Sequence, residues 1–474
     1  MITKQKPFYL SLLSAVLLTG CASGPSSHSY IGENTKAPLI AEQYQADTAK
    51  ETTALTNNTV SLDGLHKNTN AELLTAINQA LSNNHSIIEQ RAIQTQALQR
   101  SIITAADQGL NLNLNSNNSL KTTGASSASS SSFDLALNGS WQFDIWGELN
   151  AQSKASQYAL AQANANLKQA QQQLIGDITN AWYQLIYEQN RTNLILEQQQ
   201  NSGHQLQAIE SSYRQGLSDI GDVYLARANL DSAKSRSSIG AQTLSTAARK
   251  LQLLLGKYPN GSLRINGQLP SLDNNFSLGV PANLLKNRAD INSSWLAVLA
   301  QDASVASHYA KQFPSFTLSG ALSLSTAKLS DLFAQNLAWS LLANISQSVF
   351  DNGAKKANYQ LSKALLIERE QEYLQVLQHA FSEIETLIEA QSAIQEQWHL
   401  NAQVLKNSKL SLDQISAQYQ NGIANYQQVL NLQQQLFDDQ KNQLSLTWQK
   451  IQNRIELLHA LGNPTATNQS TESK

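Results

Sequence analysis

The chain has 474 residues, with 33 Lys or Arg against 35 Asp or Glu, a net charge of −2. That balance offers no basic surface for phosphates and excludes nucleic acid as a partner. Hydrophobic residues make up 41% at a mean hydropathy of −0.34, and no stretch beyond the amino terminus has the roughly 20 apolar residues of a spanning helix, so any membrane crossing must use β-strands.

At the amino terminus, Lys4 and Lys6 precede an apolar run from Phe8 to Leu18, followed by Thr19-Gly20-Cys21. The run is about half a membrane span and ends in small residues, which reads as a cleaved signal peptide over 1–20. Leu18-Thr19-Gly20-Cys21 resembles the bacterial lipobox, whose Cys is acylated and becomes the new amino terminus. Ala22 stands where an Asp usually signals inner-membrane retention. The resemblance implies lipid attachment at Cys21, an outer-membrane location, and a lipid-anchored segment over 21–70. Cys21 is the only cysteine, so the chain has no disulfide framework and no cysteine metal site.

The eight prolines lie at 7, 25, 38, 259, 270, 281, 314 and 464, leaving 39–258 and 315–463 free for very long helices. Pro259, Gly261, Gly267, Pro270, Gly279 and Pro281 mark 257–281 as a linker between two repeats, 71–256 and 282–462, with a tail over 463–474. The repeats align at one spacing. Gly147 pairs with Gly353, Tyr213 and Gly216 with Tyr419 and Gly422, and Leu255-Gly256 with Leu461-Gly462, always 206 positions apart (353 less 147). Such regularity implies internal duplication.

Each repeat opens with a period of two. Leu110, Leu112 and Leu114 alternate with Asn. Phe133, Leu135, Leu137, Trp141, Phe143 and Ile145 alternate with polar residues, giving strands over about 109–145. Phe316, Leu318, Leu322 and Leu324, then Trp339, Leu341 and Ile345, repeat the pattern over about 314–350. The serine-rich stretch Ala125–Ser132 and the stretch Ala327–Asn336 read as exterior loops, with Trp141, Trp146 and Trp339 at membrane interfaces. One face would meet lipid and the other a lumen. A soluble sheet packed on one face gives the same alternation.

After the strands the period lengthens to that of a coiled coil. Leu160, Leu167, Leu174 and Ala181 recur every seven residues in a helix over about 148–213, with Gly203 as a candidate break. Leu366, Tyr373, Ala380, Leu387 and Ile394 do so over about 354–419. Val223, Leu230, Leu244 and Leu251, and then Leu430, Phe437, Leu444, Ile451 and Leu458, form a second pair of seams. A helix from 148 to 213 would run about 100 Å. The predicted fold is therefore mainly α, a duplicated protomer with four β-strands and long coiled-coil helices. Four strands cannot close a barrel in lipid, so the strand reading requires an oligomer, and three copies would supply twelve.

Val280-Pro281-Ala282-Asn283-Leu284-Leu285-Lys286-Asn287-Arg288-Ala289-Asp290-Ile291 resembles the Pro-x-x-Leu-Leu-x-x-Arg-Pro-Asp-Ile signature of TolC/OprM-like outer-membrane factors, with Ala289 in place of the second proline. Phe313-Pro314-Ser315 resembles the family's entry to its third strand. Tyr213-Arg214-Gln215-Gly216-Leu217-Ser218-Asp219 and Tyr419-Gln420-Asn421-Gly422-Ile423 resemble its paired helix turns. The resemblance covers about 71–462. It implies a homotrimeric duct with a small transmembrane β-barrel and an α-helical barrel, the passive outer-membrane channel of a tripartite efflux system. It further implies a periplasmic adaptor docked at the turns, with Arg214, Gly216, Leu217, Ser218, Gly422 and Ile423 as contacts, and an inner-membrane pump of the resistance-nodulation-division type. Leu412 and Asp413 are the gate candidates. Plain turn chemistry accounts equally for the glycines, and a solvated helix face for Asp413.

No Gly-x-Ser-x-Gly, Walker loop, dinucleotide fingerprint or His-Glu-x-x-His occurs, and His204, His308, His379 and His399 lack neighbours at ligand spacing. Glu383, Glu385 and Glu389 fit a polar helix face. The chain is therefore read as a non-enzyme with no cofactor and no metal. A duct for type I protein secretion and an envelope-scaffolding coiled-coil lipoprotein stay open as alternatives, and the residues do not choose among antibiotic, dye, detergent or metal ion as cargo.

Overall fold

The structure is a computed structural model that describes residues 29–32, 71–122, 129–272 and 287–462. The signal peptide 1–20, Cys21, most of the segment 21–70, the motif residues Val280–Lys286 and the tail 463–474 lie outside the described residues.

The described chain runs α1 (Ala71–Asn83), α2 (His85–Ala106), β1 (Asn111–Thr122), β2 (Ser129–Phe143), α3 (Glu148–Arg214), α4 (Ile220–Leu254), α5 (Ala289–Ala310), β3 (Ser315–Thr326), a 3₁₀ turn (Leu329–Ala334), β4 (Ala338–Ser346), α6 (Ala354–Gln420) and α7 (Tyr426–Ala460). Gly203 sits inside α3, which is unbroken. The expected break does not form because a single glycine costs only about 1 kcal/mol in a helix whose seam is packed along its length. Ser129–Ser132, expected in a loop, belongs to β2, where Ser132 is the register partner of Ser119.

The duplication is visible in the structure. Helices α3 and α6 both have 67 residues, α4 and α7 both 35, and every boundary is displaced by 206 (354 less 148). Upstream the displacement is 204, for α2 against α5 (289 less 85) and β1 against β3 (315 less 111). The two-residue difference falls between the first strand and the long helix of each repeat. A loop absorbs two residues at little entropic cost, whereas inside a helix they would turn the seam by about 200°.

Two compact units make up the fold. The first combines Ala92–Ala165, Ile291–Val376 and residues 29–32. Its four strands form one antiparallel sheet in the order β1-β2-β3-β4. Val298, Val305, Ala306, Leu366, Ala151 and Tyr30 form its buried core. The backbone N–H of Tyr30 donates to Asp302 Oδ1 at 2.7 Å and that of Gly32 to Glu370 Oε1 at 2.8 Å, which pins the segment 29–32 to the helices. Asp144 caps α3 by accepting from the backbone N–H groups of Leu149 and Asn150, and Asp351 caps α6 by accepting from Gly353 and Lys355. Both caps follow a strand and surround a glycine at positive φ, Gly147 or Gly353.

The second unit holds α1, α4, α7 and the described remainder of the other helices. In its core, Leu174, Ile178, Ala181 and Leu185 of α3 are buried at heptad spacing with Leu73 and Ile77 of α1, Leu244 and Leu251 of α4, and Ile451 and Leu458 of α7. Six Leu of the predicted seams, Leu160, Leu167, Leu230, Leu387, Leu430 and Leu444, are half-buried.

Candidate docking tips and channel wall

The turn after α3 and the turn after α6 have the same construction. Gly216 N–H bonds to Tyr213 O at 2.9 Å and Leu217 N–H to Ser212 O at 2.9 Å; Gly422 N–H bonds to Tyr419 O at 3.0 Å and Ile423 N–H to Gln418 O at 2.9 Å. This is the Schellman closure, and it demands the φ of +73° that both glycines adopt. The residue after the glycine ordinarily covers an apolar side chain one turn back. Here those positions are Ser212 and Gln418, so Leu217 and Ile423 stay 77% and 76% exposed. Each tip thus presents a strongly exposed apolar side chain, at equivalent places in the two repeats. The next helices start at once. Asp219 caps α4 through Gly221 N–H at 2.6 Å, Asn425 and Gln428 close a capping box on α7, and Ser218 Oγ donates to Asp222 Oδ2 at 3.0 Å. Arg214 is exposed, its Nε donating to Glu210 O at 3.3 Å.

Above the turns, Ile209 of α3, Val223 and Ala226 of α4 and Tyr426 of α7 are buried together, with Leu206, Tyr419 and Leu430 packed around them. Tyr419 and Tyr426 meet at 6.0 Å. Burial, reinforced by Tyr419 and Asp222, pushes the Tyr426 hydroxyl up to about 12. This cluster ties the two hairpins of one chain to each other. Of the gate candidates, Leu412 is half-buried and Asp413 exposed.

The sheet sorts its side chains by face. Register pairs place Leu114, Leu137, Leu322 and Trp339 in one row, Leu112, Gly139, Gly320 and Leu341 in the next, and Trp141, Leu318 and Ala343 in a third. The alternate rows are Asn113, Asn138, Ala321 and Ser340, and Asn117, Asp134 and Ser325. One face is therefore apolar and the other lined with amides and hydroxyls. Trp339 is 75% exposed and Leu341 64% on the apolar face, a surface that would be costly in water. Trp146, in contrast, stacks on Phe313 at 4.8 Å and donates to Pro314 O, which fastens the strand ends to the helices.

A feature the sequence did not disclose is the setting of Arg288. It grips Asp290 with two hydrogen bonds, Nε to Oδ1 at 3.1 Å and Nη2 to Oδ2 at 2.7 Å, while Nη1 reaches Glu383 Oε2 at 2.7 Å and Ala460 O at 2.9 Å. The start of α5, the middle of α6 and the end of α7 are fixed by one guanidinium. Glu383, read from sequence as one of three solvated carboxylates, is part of this clamp. The sequence marked Arg288 and Asp290 only as members of the family signature, two residues apart, with no sign of Glu383 or Ala460. Among the described residues no group of three or more His, Cys, Asp or Glu is placed to hold a metal ion, and no helix is long and apolar enough to cross a membrane.

The family model described as outer membrane efflux protein matches residues 76–257 and 280–463, the two repeats and little else. The chain is 26% identical over 398 residues to the cation efflux system protein CusC of Escherichia coli O6:H1, covering 82% of this chain and 86% of that protein. It is 26% identical over 333 residues to the toluene efflux pump outer membrane protein TtgF of Pseudomonas putida, covering 70% and 69%. Among solved structures, the outer-membrane channel OprN superposes with a TM-score of 0.82 at 22% identity over 91% of this chain and 99% of that one. The open state of the Neisseria gonorrhoeae MtrE outer membrane channel gives 0.81 at 20% identity over 91% and 99%.

Proposed function

The chain belongs to the outer membrane efflux protein family, and from that membership we propose that three copies close into a twelve-stranded barrel and a helical duct that passes small molecules out of the cell. The observation that carries this reading is the sheet. Its four strands have one apolar and one polar face, and β1 and β4 stand at its edges with one side each available for pairing. Open edges are not tolerated in lipid, and pairing β4 of one copy with β1 of the next removes both. The apolar face then meets lipid and the polar face lines the pore.

Lipid attachment at Cys21 would hold the duct at the outer membrane, with the pinned segment 29–32 following the anchor by eight residues (29 less 21). The tips would receive a periplasmic adaptor. Leu217 and Ile423 supply apolar contacts, Arg214 and Ser218 polar ones, and Gly216 and Gly422 the turn that presents them. An inner-membrane pump of the resistance-nodulation-division type would drive transport, and Leu412 and Asp413 would constrict the closed duct. The family is one of ducts, and this reading assigns the chain no chemistry. Two relatives of equal identity are named for cations and for toluene, which fits a duct that leaves selection to its pump.

The test is single-channel recording of the purified oligomer in planar bilayers, alongside Leu412→Ala and Asp413→Ala. A small, mostly closed conductance that grows in either variant supports a gated duct. Silence from a verified membrane-inserted oligomer overturns it.

A further inference from the structure

We propose that Asp134 sets the ion preference of the strand-lined pore, favouring cations over anions. The inference rests on the trimeric-barrel reading above. Strands β1 to β4 contain only two charged residues, Lys121 and Asp134. Register places both on the amide- and hydroxyl-lined face, Asp134 between Asn117 of β1 and Ser325 of β3, and Lys121 opposite Ser130.

The two charges are not equivalent. Asp134 lies inside the sheet, and both its oxygens are held: Oδ1 accepts from Ser325 Oγ and Oδ2 from Ser132 Oγ at 3.1 Å. Its negative charge therefore has a fixed place on the wall. Lys121 is the penultimate residue of β1, four positions beyond the partner of Asp134 and so about 13 Å nearer the hairpin end, on a long exposed side chain. Threefold repetition turns Asp134 into a ring of three carboxylates at one height on a wall whose other strand residues, Lys121 near the hairpin end apart, are neutral. Such a ring enriches cations and depletes anions across the lumen. Its reach is the Debye length, about 10 Å in 0.1 M salt, which is shorter than the distance to Lys121, so the Asp134 ring acts there with little offset; at about 30 Å in 0.01 M the two rings partly cancel.

The experiment is the reversal potential of the full-length oligomer across a KCl gradient with about 0.1 M on the dilute side. Asp134→Asn and Lys121→Gln are compared with the wild type, each verified as a folded oligomer, with Asp134→Ser as a second neutral replacement. Both Asp134 variants are expected to lower the cation-to-anion permeability ratio about threefold, Lys121→Gln to raise it, and the differences to vanish near 1 M salt. An unchanged reversal potential in both Asp134 variants overturns the assignment while leaving the duct intact. No conductance from the wild type removes the duct and this assignment with it.

Discussion

Gly216 and Gly422, 206 positions apart (422 less 216), hold the same φ of +73° and close their helices with the same two hydrogen bonds. An added Cβ would meet nothing within 4 Å at either position, so the demand for glycine comes from the backbone alone. Replacing either by Ala is expected to cost about 1 kcal/mol, with Asn tolerated better than Val. Thermal unfolding of the purified oligomer checks the order Gly, Asn, Ala, Val. A cost for Val no larger than for Asn would show that the turn has another conformation.

Breaking the Arg288 clamp should be costly because its guanidinium side chain is only 13% exposed and serves three elements. Glu383 is 43% exposed, so solvent screens part of the loss, and Arg288→Met is expected to destabilise by about 2 kcal/mol. Arg288→Lys should fall between, since it keeps the charge and loses the fork. Denaturation midpoints of the three proteins decide it.

The Tyr426 hydroxyl is buried without a hydrogen-bond partner among the described residues. Tyr426→Phe is therefore expected to be neutral or to stabilise by about 1 kcal/mol. Tyr426→Ala removes a ring from the tip cluster and should destabilise by about 3 kcal/mol. In bilayer recordings, the Ala variant should open more often than the Phe variant.

His459, beside Arg288 and half-buried, has its pKa lowered chiefly by burial. The unfolded chain then binds the proton more readily than the folded one. The neutral form's contribution is full above the ordinary histidine range and is lost as pH falls through it toward the folded value. The melting temperature of the wild type should drop between about pH 7.5 and 5.5 more than that of His459→Gln. Equal drops would exclude His459 as a source of acid sensitivity.

The two faces of the sheet predict opposite tolerance at adjacent positions. Leu322 shares its row with Leu137 and Trp339, whereas Ser323 pairs with Ala136 and Ala338 on the polar face. Arg at 322 should cost about 2–4 kcal/mol of membrane insertion, and Arg at 323 far less. The yield of folded oligomer in outer-membrane fractions reads the difference.

Periodicity, proline placement and repeat spacing decided which segments are strands and which are long helices, because these depend on the local register of apolar residues. The 206-residue spacing of Gly147, Gly216 and Gly256 with their partners was legible for the same reason, since a residue that must adopt positive φ leaves a glycine in the sequence. The exposure of Leu217 and Ile423 follows from the polar residues five positions earlier, which the sequence also contains.

Tertiary structure alone decided which distant residues meet. Arg288 with Glu383, Tyr426 with Ile209 and Val223, and Asp134 with Ser325 are pairings over 95 to 217 positions (383 less 288, 426 less 209), and no local periodicity encodes them. The strand register also had to be seen. Alternation shows that a strand has two faces, but only the hydrogen-bonded pairing shows that the polar face of all four strands is the same one.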